Sequence, residues 1–481
     1  MIKNLLTTKP AHESIDPYKI LYNIGCLMDL PTGQYVRGMR GENIINGGFG
    51  ALIAMVGRPN VFKSTIMHYM TLSAASKIMS GDYAPYINTY DTEMNIHTSR
   101  LLSFAKRFKE FVNIDIIEEG MWKITDAVKH LGDEWYKIMK DYLRDTKIKN
   151  KKNLILKTPF IDKKGEAIMT VFPTFGQIDS LTKFITSDVD DIGNKNKLGE
   201  GGGNMVFARA GLGKARMLME LPGVCNAAAH YTICTAHVGE INTMGQQPHE
   251  RPQKKLQHQR ANERIKGVPD DFLFLTNSLW QAWSSTIFFN SGTKCPEYPR
   301  TREEKDIESV DLNKVTMKLL RNKSGASGYT FDLIVSQTEG VLDTLSEFNF
   351  IKDNDRFGLE GNNTNYHLAL LPDVNITRTT IREMLHGEEA NEKLRRAVKI
   401  TADILQIKQL YPDLPFTIPD MKDLHAKLEK EYGWDVLFNT RDYWTFNHYE
   451  HEVPFLSAMD ILEMYYDRYK PYWISSEKVK K

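Results

Sequence analysis

A short segment near residue 60 constrains the fold of this chain more than any other part of the sequence. The apolar residues 52–56 lead into a turn that begins at Gly57 and ends in Lys63-Ser64-Thr65. An apolar helical pattern follows, with no glycine or proline before Gly81. A buried strand, a turn and a helix in this order predict a β–α unit of an α/β protein with a mostly parallel sheet. The N–H groups of such a turn, and of the helix start behind it, bind phosphate.

This turn, the 57–65 loop, contains residue types that suit a nucleoside triphosphate. Its predicted nucleotide-binding residues are Gly57, Arg58, Pro59, Asn60, Val61, Phe62, Lys63, Ser64 and Thr65. We expect Lys63 to neutralise the terminal phosphates of ATP and the Ser64 hydroxyl to ligate Mg²⁺. Phe62 departs from the usual pattern, which has glycine before the lysine, so an ordinary strand-to-helix turn is the alternative. The uninterrupted helical pattern after the loop favours phosphate binding.

Two carboxylates follow other apolar segments. Asp91-Thr92-Glu93 comes after the strand-like residues 85–90, and Asp179 ends an apolar run from residue 170 that is typical of one buried strand. In a P-loop ATPase of the additional-strand type, a glutamate on the strand beside the loop's own strand polarises the attacking water. An aspartate on a further strand holds Mg²⁺ through water. We expect Glu93 and Asp179 to have these roles, the alternatives being a helix-capping glutamate and a strand-end turn residue.

A histidine and a basic tract follow the next predicted strand. His237 comes after the apolar residues 231–236 and precedes a polar tract, residues 239–267. There His237 would sense the γ-phosphate and transmit its presence to the tract, although a histidine packed in the core is the alternative. Because the tract is basic and glutamine-rich without an apolar period, we expect it to stay unpacked and to bind DNA phosphates. Its candidate DNA-binding residues are Arg251, Lys254, Lys255, Arg260, Arg264 and Lys266.

Two further cations lie beside a predicted turn. Residues 315–335 have the pattern of a β-hairpin, and Arg321 and Lys323 are next to its tip. Charges at such a tip are commonly solvated. In ATPases that assemble as rings or filaments, however, the tip reaches the nucleotide of the neighbouring copy. Arg321 and Lys323 are therefore candidate catalytic residues that act in trans on the transferred phosphate.

Length and composition set the remaining limits. The 481 residues exceed one typical domain, and we expect an N-terminal oligomerisation segment (1–45), an ATPase core (46–340) with an insertion at about 110–165, and a mainly helical C-terminal extension (341–481). A net charge of +1 restricts nucleic-acid binding to local patches. The four cysteines lack the spacing of a zinc site or disulfide framework. Because no run approaches the ~20 apolar residues of a membrane span, we expect an intracellular protein without a membrane partner.

The order of these motifs resembles the RecA recombinase family. The resemblance covers about residues 40–340 and is carried by the 57–65 loop, Asp91-Thr92-Glu93, residues 178–181, residues 235–238 and Arg321-Asn322-Lys323. Within the family the chain is most similar to the UvsX-like branch of phage recombinases. That branch shares Phe62 in the loop, and it shares His237 where bacterial RecA has glutamine. The insertion and the residues after 340 depart from the family pattern.

The resemblance implies a RecA-like core that binds ATP and Mg²⁺ and acts as a DNA-dependent ATPase. Such a recombinase forms filaments of many copies on single-stranded DNA and pairs it with double-stranded DNA. The loops after Asp179 and after His237 would face the DNA. A recombination mediator or a single-strand-binding protein would be a further partner, and the cytoplasm of a phage-infected bacterium would be the place of action.

Two other functions fit part of this pattern. Arg58-Pro59, Thr92-Glu93-Met94 and Arg321-Asn322-Lys323 are also similar to hexameric replicative helicases of the DnaB type. Those helicases carry a sizeable N-terminal helical domain, whereas only about 50 residues precede the first β–α unit here, which favours the recombinase. The other function is that of a degenerate nucleotide-binding scaffold. Phe62 supports it, whereas the presence of every residue type that hydrolysis requires argues against it.

Overall fold

The computed structural model shows an α/β protein and describes residues 20–187, 189–191, 203–241, 256–269, 271–362 and 364–474. The strands are β1 (Gln34–Arg37), β2 (Asn43–Asn46), β3 (Leu52–Gly57), β4 (Ile87–Asp91), β5 (Trp122–Asp126), β6 (Ile155–Ile161), β7 (Ala167–Val171), β8 (Thr174–Asp179), β9 (His230–Glu240), β10 (Glu263–Ile265), β11 (Ser278–Ile287), β12 (Leu312–Asn322), β13 (Thr330–Ser336), β14 (Gly340–Val341), β15 (Leu359–Gly361), β16 (Tyr366–Leu368) and β17 (Leu371–Ile376). The helices are α1 (Asp29–Thr32), α2 (Lys63–Ser80), α3 (Thr98–Ala105), α4 (Gly132–Leu143), α5 (Gly203–Ala228), α6 (Phe272–Leu275), α7 (Asp343–Asp353), α8 (Ile381–His386), α9 (Glu392–Leu410), α10 (Met421–Glu431), α11 (Trp434–Phe438) and α12 (Ala458–Tyr465). Among the helices in this described part, none combines the length and the apolar composition that a membrane span requires.

A large central sheet organises the fold. Its ten strands include the path β14-β13-β12-β11-β3-β9-β8-β4-β5, and β10 pairs with β9. Neighbouring strands run parallel from β11 to β5, whereas β12, β13 and β14 continue the sheet in antiparallel fashion. β3 and β8 are buried along their whole length, as parallel strands covered on both faces are. The predicted α/β class with a mostly parallel sheet is thus confirmed, and β12 with β13 confirms the predicted hairpin.

The register of the parallel strands brings their carboxyl ends to one edge of the sheet. Gly57 of β3 pairs with His237 of β9, and Asp91 of β4 pairs with Asp179 of β8. One part of the expected arrangement was wrong. The strand that leads to Glu93 is not beside the strand of the 57–65 loop, because β8 and β9 lie between β4 and β3.

The region predicted as an insertion contributes to the core of the protein. It supplies α4 and β5, and β5 is the outermost parallel strand of the central sheet. Lys147 lies in a run of basic residues but is buried, and its Nζ donates to Thr174 Oγ1 and to the Ala229 carbonyl, both at 3.0 Å. Burial lowers the pKa of Lys147 well below its usual value. The run 170–179 is also not one strand, because Pro173 separates β7 from β8.

The first described residues pack against the C-terminal part of the same chain. The Arg37 guanidinium donates to both carboxylate oxygens of Glu463, at 2.9 and 2.6 Å. The Asp460 carboxyl accepts hydrogen bonds from the Asn43 backbone N–H at 2.7 Å and from Asn43 Nδ2 at 2.8 Å. One apolar core extends through both parts. A role of segment 1–45 in oligomerisation stays a prediction, and residues 1–19 lie outside the described ranges.

The C-terminal part consists of α7–α12 and a three-stranded sheet of β15, β16 and β17. α9 begins after Asn391, whose side chain caps its first turn. Two of the basic residues of α9 contact other residues of the protein. Arg396 is buried, and Lys399 lies 2.6 Å from an Asp403 oxygen and 3.5 Å from a Glu347 oxygen.

Candidate active site

The 57–65 loop joins the carboxyl end of β3 to the first turn of α2. Gly57 is required there, since a Cβ would lie 2.7 Å from the Ala282 carbonyl oxygen. Asn60 and Phe62 have positive φ angles of 59° and 61°, a conformation that glycine adopts most easily. Phe62 accepts this backbone conformation at a cost of roughly 1–2 kcal/mol, and its ring packs against the main apolar core. The loop therefore makes the turn that a glycine would make, with a different residue type.

The start of α2 presents polar groups to the loop. No side chain in the described part of the protein caps its first N–H groups, so they can donate to an anion. Lys63 is buried, and its Nζ donates to the Arg58 carbonyl at 2.7 Å. Burial lowers the pKa of Lys63, and the nearby charges of Asp179 and Glu93 oppose this effect without cancelling it. Backbone donors and an ammonium group thus meet at one place, as binding of a polyphosphate requires.

Ser64 and Asp179 converge beside the loop. Asp179 is buried, and its carboxyl accepts a hydrogen bond from Thr235 Oγ1 at 2.5 Å. Burial raises the pKa of Asp179, and the neighbouring Ser64 and Thr235 hydroxyls offset the rise only in part. Mg²⁺ is held in proteins by one or two oxygen side chains together with phosphates and water. The described residues contain no cluster of three or more His, Cys, Asp or Glu side chains placed for a metal, so this pair fits Mg²⁺ only together with phosphates.

Glu93 and His237 also meet, just beyond β4 and near the end of β9, the two strands on either side of β8. Glu93 Oε1 accepts a hydrogen bond from Ser180 Oγ at 3.0 Å and lies 3.1 Å from His237 Nε2. Burial raises the pKa of the Glu93 carboxyl, but the hydrogen bonds from His237 and Ser180 outweigh it, so the pKa lies below its usual value. Glu93 is consequently an ionised, partly exposed carboxylate held by two neighbours. Glu93 is therefore not a helix cap, and His237 is not a histidine packed in the core.

Asp91 positions Glu93, which the sequence analysis did not anticipate. One oxygen of the Asp91 carboxylate accepts hydrogen bonds from the backbone N–H groups of Glu93 and Met94, at 3.0 and 2.8 Å. The other accepts from those of Asn95 and Ile96, both at 2.9 Å. The signal was present, because an aspartate followed by polar residues after a strand commonly bonds to the backbone of the next turn.

His237 is joined to the β9–β10 hairpin, which we define as β10 together with the end of β9 that it pairs with. The His237 backbone N–H donates to Thr182 Oγ1 at 2.8 Å, and its carbonyl accepts from the Lys266 N–H at 2.8 Å. Its ring nitrogen Nδ1 is buried without a hydrogen-bond partner among the described residues. His237 therefore links the Glu93 carboxylate to the main chain of the hairpin.

The basic tract is only partly as expected. Three of its candidate DNA-binding residues lie outside the described ranges, namely Arg251, Lys254 and Lys255. The other three are exposed, namely Arg260, Arg264 and Lys266. The prediction of an unpacked tract was wrong for residues 256–267, because Leu256 and Ile265 are buried and β10 pairs with β9. The Arg260 guanidinium lies 4.0 Å from the centre of the Trp283 ring, so the exposed cations stand on an ordered surface.

Arg321 and Lys323 lie away from the 57–65 loop of their own chain. Arg321 pairs with Leu279 of β11, which in turn pairs with Ala54, and this is the end of the sheet opposite to Gly57. Arg321 donates to the Phe274 carbonyl at 3.1 Å, and Lys323 donates to the Leu275 carbonyl at 3.0 Å. A role on the nucleotide of the same copy does not fit this position. A role in trans stays a prediction.

The contacts that two arginines make at the loop were not predicted from the sequence. Arg100 of α3 lies with Nη2 3.4 Å from Thr65 Oγ1, beside a cavity lined by Phe104 and Arg107 among others. Arg58, predicted as a nucleotide-binding residue of the loop, also forms an ion pair with Glu240 at 2.8 Å. Nothing in the local sequence indicates either contact, since each joins residues from separate elements.

The comparisons with known proteins add no family. No protein-family model matches the chain, and no curated protein matches its sequence. The function must be inferred from the geometry of the site and from the order of the motifs.

Proposed function

We propose that this protein is a DNA-dependent ATPase of the RecA recombinase type, similar to the UvsX-like phage branch, which binds ATP and Mg²⁺ at the 57–65 loop. One observation supports the proposal above all others. Lys63, the Ser64–Asp179 pair and the Glu93–His237 pair meet at the same edge of the sheet. They come from four separate strand ends, so a shared chemical task explains their convergence better than chance does.

In the proposed reaction a water oxygen attacks the γ-phosphorus of ATP, the bond to the bridging oxygen breaks, and ADP and inorganic phosphate leave. The loop N–H groups and Lys63 bind the phosphates. Ser64 and Asp179 hold Mg²⁺, which neutralises phosphate charge when bound. Glu93, whose low pKa keeps it ionised at neutral pH, orients the water and accepts its proton.

DNA binding is proposed for the surface that His237 joins to this site. Arg260, Arg264 and Lys266 would neutralise phosphates of single-stranded DNA, and of double-stranded DNA during pairing. A change at the γ-phosphate would be transmitted to these three cations through Glu93, His237 and the main chain of the hairpin. Arg321 and Lys323 would complete the site of a neighbouring copy in a filament.

ATP hydrolysis measured with and without single-stranded DNA, together with negative-stain microscopy, tests the proposal. With a non-hydrolysable ATP analogue and single-stranded DNA we expect helical filaments, and DNA should accelerate hydrolysis by the wild-type protein. Closed hexameric rings would instead support a helicase of the DnaB type. ATP binding without any hydrolysis would support the degenerate scaffold instead, and absence of nucleotide binding would contradict all three.

A further inference from the structure

A set of ion pairs joins the 57–65 loop to the β9–β10 hairpin, and none of the roles described so far uses it. Glu240 and Glu263 face each other in the β9–β10 ladder. The Arg58 guanidinium reaches both carboxylates, with Nη2 2.8 Å from Glu240 Oε1 and 3.9 Å from Glu263 Oε1. The second residue of the loop is therefore tied to both strands of the hairpin by its side chain.

The two carboxylates differ in their exposure to solvent. The Glu240 side chain is 64% exposed, and an exposed ion pair of this kind contributes little because water and salt screen it. The Glu263 side chain is 2% exposed. A buried carboxylate needs partners, since an uncompensated buried charge is strongly destabilising.

Glu263 has three polar neighbours in the described part of the protein. Its Oε2 accepts a hydrogen bond from Gln281 Nε2 at 3.0 Å. Its Oε1 lies 3.6 Å from Arg260 Nη1 and 3.9 Å from Arg58 Nη2. Arg260 lies three residues before Glu263 in the chain, whereas Arg58 belongs to the loop. Of the two cations that balance Glu263, one thus comes from the candidate nucleotide site.

We propose that Arg58 is shared between Glu263 and the phosphates of a nucleotide in the 57–65 loop. Glu263 is then a positioning residue, which acts on the nucleotide through Arg58. This inference rests on the proposed function, because it requires a nucleoside triphosphate in the loop. The Arg58 side chain is 47% exposed and has room to turn, and a guanidinium binds a phosphate through two parallel hydrogen bonds. Such binding is stronger than a single ion pair at 3.9 Å.

If Arg58 is shared in this way, the direction of its effect on the hairpin and on nucleotide affinity is defined. When Arg58 turns to the phosphates, only one of the two cations, Arg260, remains beside Glu263. The hairpin then becomes less stable, because the buried carboxylate has lost part of its compensating charge. Coupling between two sites is reciprocal. A hairpin that holds Arg58 must therefore weaken nucleotide binding by the same factor. The chain would thus have two connections between the loop and the hairpin, one through His237 and one through Arg58.

Glu263→Gln tests this sign, because glutamine keeps the shape of the side chain and removes its charge. We expect the variant to bind a fluorescent non-hydrolysable ATP analogue with Mg²⁺ about fivefold more tightly than the wild type, at the lower end of typical couplings. The same substitution in an Arg58→Ala background should leave the affinity unchanged. Glu240→Gln is the matched control at the exposed partner, and its effect should stay below about twofold.

Hydrogen exchange gives a second readout that does not depend on folding of the Glu263 variant. The amides of Arg264 and Lys266 report on the hairpin, because the Lys266 N–H donates to the His237 carbonyl of β9 and Arg264, opposite Gly239, is the next hydrogen-bonded position of this antiparallel ladder. In the wild type the analogue should speed their exchange, and in Arg58→Ala it should not. Unchanged or weaker binding by Glu263→Gln, or equal exchange effects in wild type and Arg58→Ala, would overturn the inference alone. No analogue binding by the wild type would overturn the proposed function and this inference with it.

Discussion

Glu93→Gln separates the charge of this carboxylate from its position. Glu93 Oε1 lies 3.0 Å from Ser180 Oγ and 3.1 Å from His237 Nε2, and an amide oxygen at the same place can accept from both donors. We therefore expect the variant to fold and to bind ATP as the wild type does. The amide cannot accept the proton of the attacking water. A general base contributes about 10²–10⁴-fold, so turnover should fall by this factor, or about 3–5 kcal/mol in barrier height.

Phosphate release at saturating ATP and single-stranded DNA measures this turnover, and titration with a non-hydrolysable analogue measures the affinity. Ser180→Ala is the matched control, because it removes one hydrogen bond to Glu93 and keeps the carboxylate. It should lose only about tenfold, which corresponds to the lower end of the free energy of one hydrogen bond to a charged group, about 1.5 kcal/mol. Because the pKa of Glu93 lies below its usual value of 4.5, protonation of Glu93 should not reduce turnover until the pH falls below that value. Turnover by Glu93→Gln within tenfold of the wild type would refute the role.

Three further predictions concern assembly, DNA binding and stability. Arg321→Ala protein mixed with Lys63→Ala protein should recover part of the ATPase activity, because some interfaces then pair an intact loop with an intact neighbouring cation; no recovery at any mixing ratio would contradict action in trans. Neutralising Arg260 and Arg264 to glutamine should flatten the salt dependence of single-stranded DNA affinity by roughly one unit for each DNA phosphate that the variant no longer neutralises, and an unchanged slope would remove them from the DNA surface. Burial raises the pKa of Asp460 from 3.8 to about 7, so its stabilising contribution is complete at low pH and is lost as the pH rises from about 4 to about 7. Urea unfolding should show the wild type losing roughly 4 kcal/mol relative to Asp460→Asn over this range, whereas a constant difference would contradict the buried neutral carboxyl.

The members of the candidate site could be predicted because each follows an apolar run. Parallel strands end at a common edge of the sheet, so residues just beyond them approach one another whatever the strand order. This is why Lys63, Glu93, Asp179 and His237 lie close together, while their roles in ATP hydrolysis stay predictions. The order of the strands could not be predicted. The residues of β4 show that they form a buried strand, but they carry no information about which strand lies beside it.

The burial of single polar residues could not be predicted from local sequence patterns either. Lys147 lies in a run of basic residues, and its partners are 27 and 82 residues away in the sequence. The composition of the basic tract indicated unpacked chain, yet Leu256 and Ile265 in its second half are buried. The buried Glu263 accepts a hydrogen bond from Gln281 of another strand. Each of these features depends on long-range contacts, which a composition or a period does not encode.

Binding of ATP phosphates by the 57–65 loop is tested most directly by ATP hydrolysis of Lys63→Ala beside the wild type, with Mg²⁺ and single-stranded DNA present. The substitution removes one ammonium and its hydrogen bond to the Arg58 carbonyl, so thermal unfolding should show an intact fold. We expect the wild type to release phosphate and the variant to release none above the rate without protein. Hydrolysis by Lys63→Ala at the wild-type rate would contradict the assignment of this loop as the nucleotide site.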